Sequence, residues 1–94
     1  MNTSGEYLDA TPIPDTVLVN IGDLMQRWTS DKLKSTVHRV IIPKAEFKQK
    51  QSRQSLAFFV NPNNDDFITC IDGSNKYEPI TALEYLNMRI AAAY

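Results

Sequence analysis

Two stretches of this chain, VHRVIIP at 37–43 and QSLAFFV at 54–60, are apolar along most of their length and rich in β-branched or aromatic residues. Each therefore favours a strand with two apolar faces. In the second stretch Leu56, Phe58 and Val60 project to one side and Ala57 and Phe59 to the other; in the first, Val40 and Ile42 oppose Val37 and Ile41. A sheet of that kind needs cover on both sides, normally a second sheet and a layer of helices. Ninety-four residues with one strongly helical segment do not supply both covers. The pattern reads as part of a larger architecture.

The rest of the chain alternates strands and turns. EYLDA is a short candidate strand, and the two prolines of TPIPDT make an extended connector. TVLVNI is a further strand, ended by Gly22 and Asp23, and LMQRW is a helical turn or two with Met25 and Trp28 on one face. KAEFKQKQS reads as a charged loop in which Lys44, Lys48 and Lys50 face solvent. NPNNDD is a turn cluster, FITCI a fourth strand and DGSNKYEP another loop. From Thr81 the period changes: Thr81 with Glu84 three residues later matches a capping box, and TALEYLNMRIAAAY is a helix. The expected fold class is mainly β with a C-terminal α-helix. Trp28, Tyr77, Phe58 and Phe59 are assigned to packing, Asp23 to a turn or cap, and Cys70 to a buried, unreactive thiol.

Charge removes several functions. Ten Lys and Arg against eleven Asp and Glu give a formal charge of −1, so no broad basic surface exists for nucleic acid or anionic lipid. No apolar run approaches the roughly 18 residues that span a bilayer, and the N-terminal stretch lacks a basic start and an apolar core. A single cysteine, Cys70, excludes an internal disulfide. The expectation is a reduced, cytoplasmic chain of one domain, with neither nucleic acid nor membrane among its partners.

One pair of residues has the spacing of a binding element. Arg53 and Ser55 lie two apart at the start of a strand, so both side chains emerge on one face, where a guanidinium and a hydroxyl can grip one carboxylate together. The only histidine, His38, lies in KSTVHRVIIP. By itself it reads as a partly buried structural residue.

The run LVNIGDLMQRWTSDKLKSTVHRVIIP followed by RQSLAFFVNPN resembles the C-terminal half of the catalytic domain of Fe(II)- and 2-oxoglutarate-dependent oxygenases, the isopenicillin N synthase-like group. The elements that carry the resemblance are NIGD at 20–23, the QRWTSD turn, KSTVHRV and the Arg53-x-Ser55 pair, and it extends from about Gly5 to Tyr94. It implies a partial double-stranded β-helix, or jelly-roll, in which His38 matches the distal histidine of a 2-His-1-carboxylate iron site and Arg53 and Ser55 match the pair that binds the C5 carboxylate of 2-oxoglutarate. The chemistry implied is decarboxylation of 2-oxoglutarate to succinate and CO2, coupled to oxidation of a small organic substrate by O2.

The chain also departs from that pattern. The family requires a His-x-Asp upstream of the distal histidine, and His38 has no histidine before it. Residues 1–94 therefore read as the C-terminal part of an oxygenase domain without its His-x-Asp region, with no catalytic residue of its own and inactive alone. Iron and cosubstrate then belong to the complete domain, assembled with upstream sequence or with a complementing N-terminal polypeptide. The alternative is a non-catalytic β-rich interaction module that docks with another polypeptide.

Overall fold

A computed structural model describes residues 1–42, 44 and 52–93. Its elements, in chain order, are helix α1 (Asp23–Trp28), strand β1 (Phe67–Ile68), strand β2 (Ile80–Thr81) and helix α2 (Ala82–Ala93). β1 and β2 pair antiparallel, with Phe67 opposite Thr81 and Ile68 opposite Ile80. The capping box forms as expected. Thr81 Oγ1 accepts from the Glu84 amide at 3.3 Å, while Glu84 Oε2 accepts from the Thr81 amide at 3.2 Å and from the Thr81 hydroxyl at 2.7 Å. Both ends of that reciprocal contact satisfy groups that a helix start leaves open.

A small core sits where β1, β2 and α2 meet the α1 turn. Ile68, Cys70, Ala82 and Tyr85 are its buried apolar residues, and Thr29 is buried beside them. The buried position expected for Cys70 is observed. Thr29 closes α1: its hydroxyl donates to the Met25 carbonyl at 2.8 Å and accepts from the Leu33 amide at 3.1 Å. The chain then turns through Ser30 and Asp31, both with positive φ (53° and 66°), a conformation that polar residues with short side chains tolerate best. A backbone bond from the Ile71 amide to the Trp28 carbonyl, 3.0 Å, docks this turn onto the segment leaving β1.

The three long strand candidates meet a different fate. Residues 16–21, 37–42 and 54–60 carry no regular secondary structure and join no sheet among the described residues. Their apolar side chains are exposed on both sides: Val17 is 86% exposed, Val40 78% and Phe58 92%. Of the expected strands, FITCI alone contributes a paired one, at its first two residues, and EYLDA does not pair. The assignment of Phe58, Phe59 and Trp28 to packing is corrected, since all three are exposed. A strand is stable only when its backbone groups find a neighbouring ladder and its apolar face a cover, and no described segment forms a ladder with these three. The radius of gyration, 16.7 Å, agrees; a compact chain of this length has one near 12 Å. The charged loop over 45–51, including Lys48 and Lys50, and the strand stop at Pro43 lie outside the described residues.

Candidate functional site

His38 lies in the extended segment that follows the α1 turn, and it is exposed. Its Nδ1 is 2.9 Å from the Thr36 carbonyl. A carbonyl only accepts, so the bond puts a proton on Nδ1, and in the neutral ring the lone pair is then on Nε2. Metal-binding imidazoles are commonly held in this way, one nitrogen donating to a backbone carbonyl while the other ligates. The neighbouring Arg39 guanidinium lies over the Tyr7 ring at 3.9 Å, which places the 5–9 segment beside the histidine segment. Arg53 and Ser55 are both exposed in the extended segment 52–60.

The donor set does not complete an iron site. Among the described residues no three His, Cys, Asp or Glu side chains gather so as to hold a metal ion. One imidazole of that tautomer fits a single position of a facial triad.

The segment bearing His38 is instead anchored at its base by a polar cluster. Gln26, on α1, accepts a 2.6 Å bond from the Ser35 amide through Oε1 and donates from Nε2 to Asp31 Oδ1 at 3.0 Å. Asp31 also accepts from the Tyr77 hydroxyl, 2.8 Å from each carboxylate oxygen, and pairs with Lys76. The Lys76 ammonium, then the Tyr77 hydroxyl and the Gln26 amide, hold the Asp31 carboxyl down from 3.8 to about 2. Asp31 in turn raises the Tyr77 phenol and the Lys76 ammonium above their ordinary values.

A second carboxylate lies alongside. Asp72 accepts from the Ser30 hydroxyl at 2.8 Å and the Ser74 amide at 3.0 Å, and pairs with Lys32 at 3.3 Å. Ser74 first, through its side chain and then its amide, with Ser30 after it, holds this carboxyl well below the usual carboxylate range. Arg27 packs between the rings of Tyr77 and Tyr85, at 4.9 and 5.4 Å, and donates to the Glu78 carbonyl at 2.7 Å. Asp23 lies in the first turn of α1, where its carboxylate pairs with Arg89 of α2.

Sequence reasoning singled out His38, Arg53 and Ser55 as candidates, did not single out Gln26, Asp31 and Lys76 as a unit, and treated Tyr77 as a packing residue. The available signal was chemical: two polar turns, QRWTSDK and DGSNKYE, carry complementary charges. Their pairing across 46 residues, from Asp31 to Tyr77, is a tertiary fact that local spacing does not encode.

Residues 1–62, which include His38, Arg53 and Ser55, match the 2OG-Fe(II) oxygenase superfamily. The chain belongs to this family. It is similar to the 2-oxoglutarate-Fe(II) type oxidoreductase ppzD of Metarhizium majus, with 33% identity over 99% of this chain and 29% of that protein. A UPF0676 protein of Schizosaccharomyces pombe is 40% identical over 95% of this chain and 27% of its own length. The 2-oxoglutarate-Fe(II) type oxidoreductase hxnY of Emericella nidulans is 38% identical over 83% of this chain and 23% of its own length. No solved structure matches. The chain spans less than a third of the curated relatives it matches. The complete oxygenase domain of this family takes Fe(II) and 2-oxoglutarate, and the family fold is a jelly-roll. The described part has one two-stranded sheet and a C-terminal helix, and none of its helices is long and apolar enough to cross a membrane.

Proposed function

We propose that this chain is the C-terminal part of an oxygenase catalytic domain that oxidises a small organic substrate with O2 while converting 2-oxoglutarate to succinate and CO2. His38 contributes the distal imidazole of the iron site. Arg53 and Ser55 bind the far carboxylate of 2-oxoglutarate, the guanidinium by charge-assisted bonds and the hydroxyl by one more. The remaining ligands, the strands that pair with 16–21, 37–42 and 54–60, and most substrate contacts come from upstream sequence. The chain works in a reducing compartment and is inactive alone. The family match over residues 1–62 carries this reading, because it spans all three residues. The tautomer that the Thr36 carbonyl imposes on His38 supports it. A non-catalytic docking module is not favoured by that match.

The bound iron supplies the oxidising chemistry, and the part left to this chain is positional. The Thr36 carbonyl holds the proton on Nδ1 of His38, and Arg53 with Ser55 fixes the orientation of the cosubstrate along its length.

The reading is tested by the coding sequence upstream of Met1 and by turnover. An in-frame His-x-Asp upstream, or a separate polypeptide that supplies one, is expected. The 94-residue chain should form no succinate from 2-oxoglutarate with Fe(II), and the longer polypeptide should form it until His38→Ala is introduced. Steady turnover by the 94-residue chain alone contradicts the proposal.

A further inference from the structure

Gln26 stands between the polar cluster and the histidine segment. Its side chain faces two ways: Nε2 donates to Asp31, which Tyr77 and Lys76 hold from the other side, and Oε1 accepts from the Ser35 amide at 2.6 Å. Both Gln26 contacts are partly buried. Ser35 lies three residues before His38 and two residues past the end of the turn at Leu33. We infer that Gln26 is a positioning residue for His38, fixing through the Ser35 amide the direction in which the iron-binding segment leaves the α1 turn. This inference rests on the reading of His38 as an iron ligand.

Three extended residues span about 10 Å, so a swing of about 10° at Ser35 moves the imidazole by nearly 2 Å. Metal sites work within about 0.5 Å of their productive geometry. Thr29 fixes the end of the turn at the Leu33 amide, and Gln26 holds the chain two residues further on. Gln26 is itself held, because its carboxamide is oriented by Asp31 and its backbone carbonyl accepts from the Asp31 amide at 2.9 Å. A carboxamide suits this position because it donates at one atom and accepts at the other; a carboxylate has no donor for Asp31, and a thioether has neither group.

The test uses Gln26→Met, which keeps length and volume and removes the carboxamide, and a backbone ester in place of the Ser35 amide, which deletes the donor to Gln26 and leaves the side chain and φ of Ser35 as they are. In the 15N-labelled chain the sole histidine gives an unambiguous pair of imidazole nitrogen signals. Gln26→Met should speed exchange of the Ser35 amide by roughly tenfold. It should also move the His38 backbone and imidazole signals, while protection of the Ile71 amide, which reports the core, stays near wild type. Unchanged His38 signals in both variants overturn the inference; should Gln26→Met lose the Ile71 protection, the backbone ester at Ser35 alone decides the matter.

In the longer polypeptide, Gln26→Met should weaken Fe(II) affinity several-fold and lower kcat while leaving KM for 2-oxoglutarate unchanged. A residue needed only for stability would not produce that split. His38→Ala run alongside separates the two layers. If His38→Ala leaves Fe(II) binding intact, the ligand reading itself fails. If His38→Ala removes the metal and Gln26→Met changes nothing, only the positioning role is lost.

Discussion

Tyr77 directs its hydroxyl at both carboxylate oxygens of Asp31, 2.8 Å from each, and joins two turns that lie 46 residues apart. The bond reaches across the core from the α1 turn to the loop before β2. Tyr77→Phe removes this donor and leaves Asp31 with Lys76 and Gln26. A hydrogen bond to a charged acceptor outweighs a neutral one, so the midpoint of thermal unfolding should fall by several degrees. Circular dichroism of the helical signal measures it.

The same carboxylate sets the acid limit of the fold. Asp31 is held at about 2 against 3.8, and Asp72 is displaced in the same direction. A folded-state value below the unfolded one means that the contribution is fully present above the unfolded value and is lost as pH falls through the folded one. Stability should therefore be level above the ordinary carboxylate range and decline from about 3.8 toward about 2. Asp31→Asn should flatten that decline. At the alkaline end the raised phenol of Tyr77 and ammonium of Lys76 work the other way: their stabilisation is present below 10.0 and 10.5 and is lost as pH rises through the higher folded values. A denaturant midpoint followed across pH tests both limbs, and an acid limb identical in Asp31→Asn and wild type would falsify the assignment.

Thr81 caps α2 through a side chain that serves two partners, the Glu84 amide and the Glu84 carboxylate. Thr81→Ala should cost about 1 kcal/mol, and Thr81→Asn, which restores an acceptor, should recover most of it. The change belongs to the 94-residue chain and is read from urea unfolding.

The core is so small that one aliphatic side chain decides it. Ile68 is 5% exposed and lies on β1 opposite Ile80. Ile68→Ala should remove about 2 kcal/mol or more. Loss of amide protection at Ile71 and Ala82 together would report that the whole unit opens.

How much of this was legible in the sequence differs by element. The helix at 82–93 and its cap were readable because both signals are local: a 3.6 period and a Thr-x-x-Glu spacing need nothing from the rest of the chain. The burial of Cys70 was readable from its place in an apolar run. The segments at 16–21, 37–42 and 54–60 have strand composition, yet composition supplies only a preference, and pairing needs a second backbone that no described segment provides. The family was legible from KSTVHRV and Arg53-x-Ser55, since those residues bring their own spacing. Gln26 and Asp31 were not, because their roles depend on a turn with two residues at positive φ and on a loop far along the chain.

Arg53 offers a prediction that separates cosubstrate binding from metal binding. A guanidinium presents donors in a rigid fork that matches both oxygens of a carboxylate, whereas an ammonium makes a point contact. In the longer polypeptide, Arg53→Ala should raise KM for 2-oxoglutarate roughly tenfold or more, with Fe(II) affinity unchanged, because no iron ligand is touched. Arg53→Lys should recover part of the loss, and Ser55→Ala should show a smaller rise, since the hydroxyl contributes one neutral donor. Titration of 2-oxoglutarate against succinate formation gives the first quantity, and metal binding followed without cosubstrate gives the second. Equal loss of both in Arg53→Ala would place the residue at the metal, and an unchanged KM would remove it from the cosubstrate site.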